Sequence, residues 1–302
     1  MKILRTPSEN FLNLKDYSFK ENYIEFSIKL DTDDENLNVR MHYLDENKDS
    51  DDIVLLLHGE PTWSYLYRHM IPKLVKAGKR VIAPDLIGFG KSDKLPKREQ
   101  YTYERHIEWT HNIIKILNLD NITLFGQDWG GLIGLRLVAN QPELFKGMVL
   151  ANTSLPIGKG TSEGFEAWKK YSQEVEVFDS GKIVQNASLK KLTDDEIHAY
   201  NAPFPDDTYL ACARQFPTLV PMNPDDPSVN ENIAAWEILK TFDKPVLTIF
   251  GSKDRVMLGA EKFFQSKIPG TSNMNHQIVE AAHFIQEDQP ELLAETIITL
   301  YQ

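Results

Sequence analysis

The chain has 302 residues, of which 41% are hydrophobic and 25% charged, and it carries a formal net charge of −11. This is an ordinary globular composition, long enough for one large α/β domain with an insertion or for two domains. The acidic balance argues against nucleic acid and anionic membrane surfaces as partners, because both recruit Lys and Arg. The N-terminal stretch MKILRTPSENFLNLKDY has no long apolar run, so neither a signal peptide nor a membrane span is expected there, and a cytoplasmic location is. Residues 23–30 (YIEFSIKL) and 37–44 (LNVRMHYL) alternate apolar and polar positions around the turn-rich DTDDEN, which predicts an antiparallel hairpin at a sheet edge. Six short apolar runs follow at 52–58, 79–85, 121–127, 147–152, 244–251 and 276–281. Their lack of alternation predicts strands buried on both faces, as in a parallel sheet. Helical patterns over about 64–77, 102–117, 130–140 and 290–301 separate most of them, so the fold class is α/β with a doubly wound, mostly parallel eight-stranded sheet.

The alternation stops after about residue 153, where helices and loops with breakers such as APFPDD and VPMNPDDPSVN take over until KPVLTIFG. The expected organisation is a core of residues 1–154 and 230–302, with 155–229 as a helical cap inserted after the sixth strand. Such an insertion would sit over the carboxyl ends of the strands, where open α/β sheets bind ligands. The single cysteine, Cys212, excludes an intrachain disulfide and is expected to be a small buried hydrophobe.

The stretch FGQDWGGLIG (125–134) joins a strand to a helix through Gly126-Gln127-Asp128-Trp129-Gly130. Small residues around a strand-to-helix turn permit a sharp elbow that pushes the central side chain into a cleft above a helix N-terminus. A serine at such an elbow suits acyl transfer, whereas this chain has Asp128. An aspartate could be a plain N-cap, but capping does not account for the glycines around it. A carboxylate that attacks saturated carbon forms an alkyl ester of the protein, which water can cleave at the aspartate's own carbonyl. With an ordinary pKa near ~4, it needs no base for the first step, only for the second.

A histidine late in the chain, preceded by an acid, completes the nucleophile–acid–histidine order of α/β-hydrolases. AAHFIQEDQPE supplies His283 after the last predicted strand, and GSKDRVM supplies Asp254 after the one before. Glu287 and Asp288 are alternative carboxylates but fall on the helical side. After the strand at 52–58 comes His58-Gly59-Glu60-Pro61, a turn able to aim N–H groups into the cleft. The N–H groups of Glu60 and Trp129 are candidates for an oxyanion hole, and His58 is expected to orient the turn. No His/Cys cluster has ligand spacing, so neither a metal nor any other cofactor is expected.

Together with HGEPTWSYLYR, APDLIGFGKSD, EGFEAWKKYSQE, YNAPFPDDTY and RQFPTLVP, these motifs resemble the haloalkane dehalogenases over nearly the whole chain from about residue 50. The likeness is to the subfamily with Glu after His-Gly. The resemblance implies the α/β-hydrolase fold and hydrolytic displacement of halide from a haloalkane to give an alcohol. It casts Asp128 as nucleophile, His283 as base and Asp254 as its orienting acid. It further implies two indole N–H donors for the halide, Trp129 and Trp168, a role for Glu60 in placing the water, and a pocket of Leu132, Phe165, Phe216, Pro217, Val220, Val256 and Met257. An indole suits a halide because its N–H donates and cannot accept. The implied partners are a small apolar halogenated substrate, water and the halide product, with a monomer expected. Trp63, Trp109 and Trp236 are expected to be packing residues. The main alternative is an epoxide hydrolase of the same fold, for which Tyr171, Tyr200 and Tyr209 would supply the acid. A catalytically silent receptor of this fold is a further alternative, though such proteins usually lose part of the triad and this chain keeps every piece.

Overall fold

A computed structural model of the chain describes residues 3–30 and 36–302. The turn predicted at 31–36 therefore lies, apart from Asn36, outside the described residues. The strands are β1 (Asn22–Ile28), β2 (Leu37–Glu46), β3 (Ile53–Leu57), β4 (Arg80–Pro84), β5 (Ile122–Gln127), β6 (Phe145–Ala151), β7 (Val246–Gly251) and β8 (Gln277–Val279). They form one sheet in the order β1-β2-β4-β3-β5-β6-β7-β8. β1 pairs antiparallel with β2, and β2 with β4; every other pairing is parallel. The order reverses at β3, which has β4 on one side and β5 on the other. At such a switch point the loops leaving the carboxyl ends diverge and open a crevice.

The helices of the first half are α1 (Ile71–Lys76), α2 (Tyr103–Ile116) and α3 (Trp129–Asn140). Five more, α4 (Glu163–Glu174), α5 (Ser180–Asn186), α6 (Asp194–Asn201), α7 (Ala211–Leu219) and α8 (Val229–Leu239), lie between β6 and β7. The chain ends with α9 (Glu261–Lys267), α10 (Ile285–Asp288) and α11 (Pro290–Thr299). Ser162 Oγ caps α4 by accepting the Phe165 N–H, and Thr193 and Glu196 form a capping box on α6. α8 returns to the core: Asn232 donates to Pro156 O and bonds Arg136 of α3, while the Trp236 indole donates to Leu155 O.

β3, β5 and β7 are buried at every residue, as their unbroken apolar runs require. Strand periodicity splits the core into two layers. Leu55, Leu57 and Leu124 pack with Trp109, Ile113 and Leu132 on one face. Val54, Leu56 and Phe125 pack with Leu74, Leu293 and Ile297 on the other. Each such side chain contributes roughly 1.5–3 kcal/mol of burial free energy.

Two predicted elements differ. β8 is short and only part-buried, with Ile278 51% exposed, because it is the sheet edge and has β7 as its single neighbour. The helix expected over 64–77 is broken into a short turn at Ser64–Tyr67 and α1. Pro72 lacks an N–H and clashes with the preceding turn, so it sits at the start of a new helix. Cys212 is buried, as expected. Among the described residues, no helix is long and apolar enough to cross a membrane.

Candidate active site

β3 and β5 are adjacent, with Leu57 opposite Gly126, so the turns that follow them emerge side by side. Asp128 lies between β5 and α3 with φ +52° and ψ −128°. For a non-glycine residue this backbone costs on the order of 1–3 kcal/mol and persists only where the surroundings enforce it. Gly130 allows the turn: a Cβ there would lie 1.8 Å from Leu57 O, so α3 starts directly against the end of β3. The Asp128 side chain does not cap α3. It points instead toward the crevice, where Oδ1 accepts the Glu60 N–H at 2.8 Å and Oδ2 lies 3.5 Å from His283 Nε2. Gly59 is required for this approach, since a Cβ there would meet Asp128 Oδ1 at 2.3 Å.

His283 Nδ1 lies 2.9 Å from Asp254 Oδ2. Asp254 is 2% exposed, and its Oδ1 accepts the N–H groups of Val256 at 2.8 Å and Met257 at 3.2 Å. Burial alone would raise the Asp254 pKa, but the facing His283 and these N–H groups outweigh it and hold the carboxyl below its usual range. As an ionised acceptor it fixes the tautomer: Nδ1 carries the proton and Nε2 faces Asp128. Burial would lower the His283 pKa, but the Asp254 and Asp128 carboxylates push it up to about 10. The loop itself is held by Asn152, whose Nδ2 donates to the carbonyls of Ala282 and His283 at 2.8 and 2.9 Å. The alternative acids do something else. Glu287 pairs with Arg68 and Lys190 and accepts from the Tyr200 hydroxyl. Asp288 accepts the N–H groups of Leu189, Lys190 and Ala282, tying the inserted segment to the His283 loop. Glu287 also groups with His69 and Glu196, their potential ligand atoms within 4.8 Å of one another, but Arg68 and Lys190 pair with both carboxylates.

Glu60 is 4% exposed, and its Oε1 has no hydrogen-bond partner. Burial, and next the Asp128 charge, push its pKa well above the usual carboxylate range. His58 is fully buried and spans the turn, with Nε2 accepting the Leu86 N–H at 2.9 Å and Nδ1 2.8 Å from Gly59 O. This is the orienting role expected of it.

Glu60, Asp128 and His283 line a cavity of about 210 Å³. Glu60, Asp128, Trp129 and His283 form its floor, and Phe165 and Trp168 of α4 and Pro217 of α7 close it from above. Leu132, Val220, Val256 and Met257 also reach it. Phe216 does not line it. Its ring sits behind Trp129 at 4.4 Å and against His106 at 4.5 Å, so it supports the indole. Sequence reasoning missed Ile183, Ala187 and Phe284, which do line the cavity. The i, i+4 spacing of the first two is the signal that could have found them, and the third directly follows His283. Among the described residues no tyrosine lines the cavity: Tyr171 is 46% exposed, and Tyr200 is committed to Glu287. The tyrosines proposed as acids for epoxide opening are therefore not among the lining residues.

An eight-stranded, mostly parallel sheet with a carboxylate at its elbow and a late histidine–acid pair defines an α/β-hydrolase, and the family model for the α/β hydrolase fold matches residues 52–290. The chain is 50% identical over 300 residues to a haloalkane dehalogenase of Psychrobacter cryohalolentis, covering 99% of this chain and 97% of that one. It is 45% identical to a haloalkane dehalogenase of Mycolicibacterium paratuberculosis, covering 100% and 99%. The tetrameric structure of haloalkane dehalogenase DpaA from Paraglaciecola agarilytica NO2 superposes with a TM-score of 0.91 at 34% identity, covering 100% and 99%. The chain belongs to the haloalkane dehalogenase family of hydrolases.

Proposed function

We propose that the chain hydrolyses small haloalkanes to an alcohol and halide by a two-step route through an ester on Asp128. The observation that carries this reading is an ionisable carboxylate, Asp128, facing an apolar cavity lined also by two indoles and by His283, whose Nδ1 is held by Asp254 behind it. In the first step Asp128 attacks the halogen-bearing carbon, the carbon–halogen bond breaks, and the halide leaves with the bond pair toward the indole N–H groups of Trp129 and Trp168. Apolar surroundings strengthen such hydrogen bonds because water does not compete for them. In the second step water gives a proton to His283 Nε2 while its oxygen bonds the ester carbonyl carbon of Asp128. The oxyanion is met by the Glu60 and Trp129 N–H groups, with the Glu60 side chain helping to place the water. The alkyl–oxygen leaving group then takes the proton from His283 and departs as alcohol, and the regenerated Asp128 releases its proton to solvent. A cavity of about 210 Å³ suits a small substrate. In this reading residues 155–229 act as a cap that excludes bulk water, and residues 1–154 and 230–302 form the core.

The oxygen balance supplies the test. One turnover in ¹⁸O water with enzyme in excess should leave the alcohol unlabelled and place the label on Asp128, read by peptide mass. Label that reaches the alcohol directly, with none in the protein, would mean that water attacks the substrate itself.

The charges around His283 add a pH prediction. In the free enzyme Asp254 and Asp128 both favour the imidazolium. Alkylation turns Asp128 into a neutral ester and removes one of them, so the proton leaves more readily when the base is needed. Because the base must be unprotonated, the hydrolysis step should slow as pH falls, with a midpoint below the value of about 10 in the free enzyme. Rapid-quench alcohol release across pH, set against an NMR titration of His283 without substrate, checks this. Coincident midpoints would show that Asp128 does not act on His283.

A further inference from the structure

One fully buried amide, Gln127, touches the edge of His283 that faces Asp128. Gln127 ends β5 and is 0% exposed. Its Nε2 donates to His283 O at 3.1 Å and lies 3.3 Å from His283 Nε2. The carbonyl oxygen can only accept, which fixes the amide orientation: the NH2 group faces His283 and Oε1 faces away. Behind it, Gln286, also 0% exposed, donates from Nε2 to Gln127 Oε1 at 3.3 Å. The amide is therefore locked with its two hydrogens directed at the imidazole and at the carbonyl of the same residue.

We infer that Gln127 is a positioning residue for the hydrolysis step, occupying the His283 Nε2 lone pair with its N–H and opposing protonation before water is in place. The inference rests on the reading of His283 as the base. With Nδ1 committed to Asp254, Nε2 of the neutral ring can only accept, and the Gln127 N–H donates to it. Once Nε2 takes a proton, two donors face each other and that contact becomes unfavourable. The titratable groups facing the ring are Asp254 after β7, Asp128 after β5 and Glu60 after β3. Asp254 and Asp128 favour the imidazolium, while burial and the Asp128 charge push the Glu60 carboxyl well above its usual range. Burial and the Gln127 N–H directed at Nε2 work against Asp254 and Asp128. During turnover the ring swings from the amide N–H toward the water, takes its proton, and gives it to the departing alkoxide. The fixed amide then favours return to the neutral, accepting ring.

The test compares Gln127→Met and Gln127→Glu with the parent enzyme. Both variants lose the bond to His283 O. Met also removes the N–H directed at Nε2, and Glu replaces it with an acceptor that stabilises the imidazolium. The pH midpoint of alcohol release in single turnover should rise by about one pH unit in Gln127→Met and further in Gln127→Glu, since a unit corresponds to the loss of a single modest hydrogen-bond preference. Alcohol release at neutral pH should slow more than the halide burst, which needs no base. A purely structural role predicts equal slowing in the two variants with unmoved midpoints, and that result overturns the inference. Should the parent show no midpoint at all, the base reading of His283 fails instead, so the two failures are distinct. Melting temperatures of both variants identify any rate loss that follows unfolding.

Discussion

Asp128→Asn should lower halide release from every haloalkane on the order of 10⁵-fold or more, the scale on which removal of a covalent nucleophile acts. The substitution is close to isosteric, and Asn is one of the few residues that tolerates a positive φ, so the elbow at +52° should survive. Its amide oxygen can still accept the Glu60 N–H that now meets Oδ1 at 2.8 Å. What disappears is the charge that would form the new bond. The same loss should be visible elsewhere: Glu60 and His283 both feel the Asp128 carboxylate, which raises the pKa of each. Both should titrate lower in the variant, a readout independent of turnover. Asp128→Ala cannot regain a carboxylate by deamidation, so it guards against slow recovery of activity. It should be equally inactive, though destabilised by roughly 1–2 kcal/mol because Ala resists this backbone. Halide release within a hundredfold of the parent in both variants would remove Asp128 from the first step.

Much of the fold is legible in the sequence because burial writes itself as pattern. Unbroken runs such as DIVLLLH and NITLFGQ can only be strands covered on both faces, and β3 and β5 are buried throughout. The pattern fails where tertiary position decides. β8 carries an apolar run like the others, yet its place at the sheet edge leaves Ile278 half-exposed. At the candidate site, Asp128, Asp254 and His283 are legible because each follows a strand run at its carboxyl end. The side chains that hold them are not. Asn152 and Gln127 are ordinary polar residues in sequence, and only the adjacency of β5, β6 and β7 sets them beside the His283 loop. Phe216 shows the reverse error: the family resemblance implies it as pocket wall, but its position on α7 turns it behind Trp129. The tyrosines of the insertion make the epoxide alternative available in the sequence, Trp168 and Glu60 weigh against it, and the structure adds that no tyrosine lines the cavity among the described residues.

His283→Phe should convert the enzyme into one that releases a single equivalent of halide and then stops. Attack by Asp128 needs no base, whereas hydrolysis does, so the substitution divides the reaction between its steps. The fold can accept it. Asn152 holds this loop through the carbonyls of Ala282 and His283, and Gln127 bonds the same His283 carbonyl, so none of these contacts depends on the imidazole. The cost falls on Asp254, which loses its ring partner but keeps the Val256 and Met257 N–H groups on Oδ1. A destabilisation of about 1–3 kcal/mol is expected from the buried acceptor left without its bond, measurable as a lower melting temperature. Asp254 should also titrate higher, since the facing His283 helps hold it below the usual carboxylate range. Steady-state turnover should drop by about 10⁴-fold or more, in line with loss of an essential general base. Intact mass should rise by one alkyl group less a hydrogen, and peptide mapping should place the adduct on Asp128. The adduct should persist because the Glu60 and Trp129 N–H groups polarise the ester carbonyl without supplying a nucleophile. Sustained halide release with no adduct would place the base elsewhere, and loss of the initial burst would mean that His283 also acts before the carbon–halogen bond breaks.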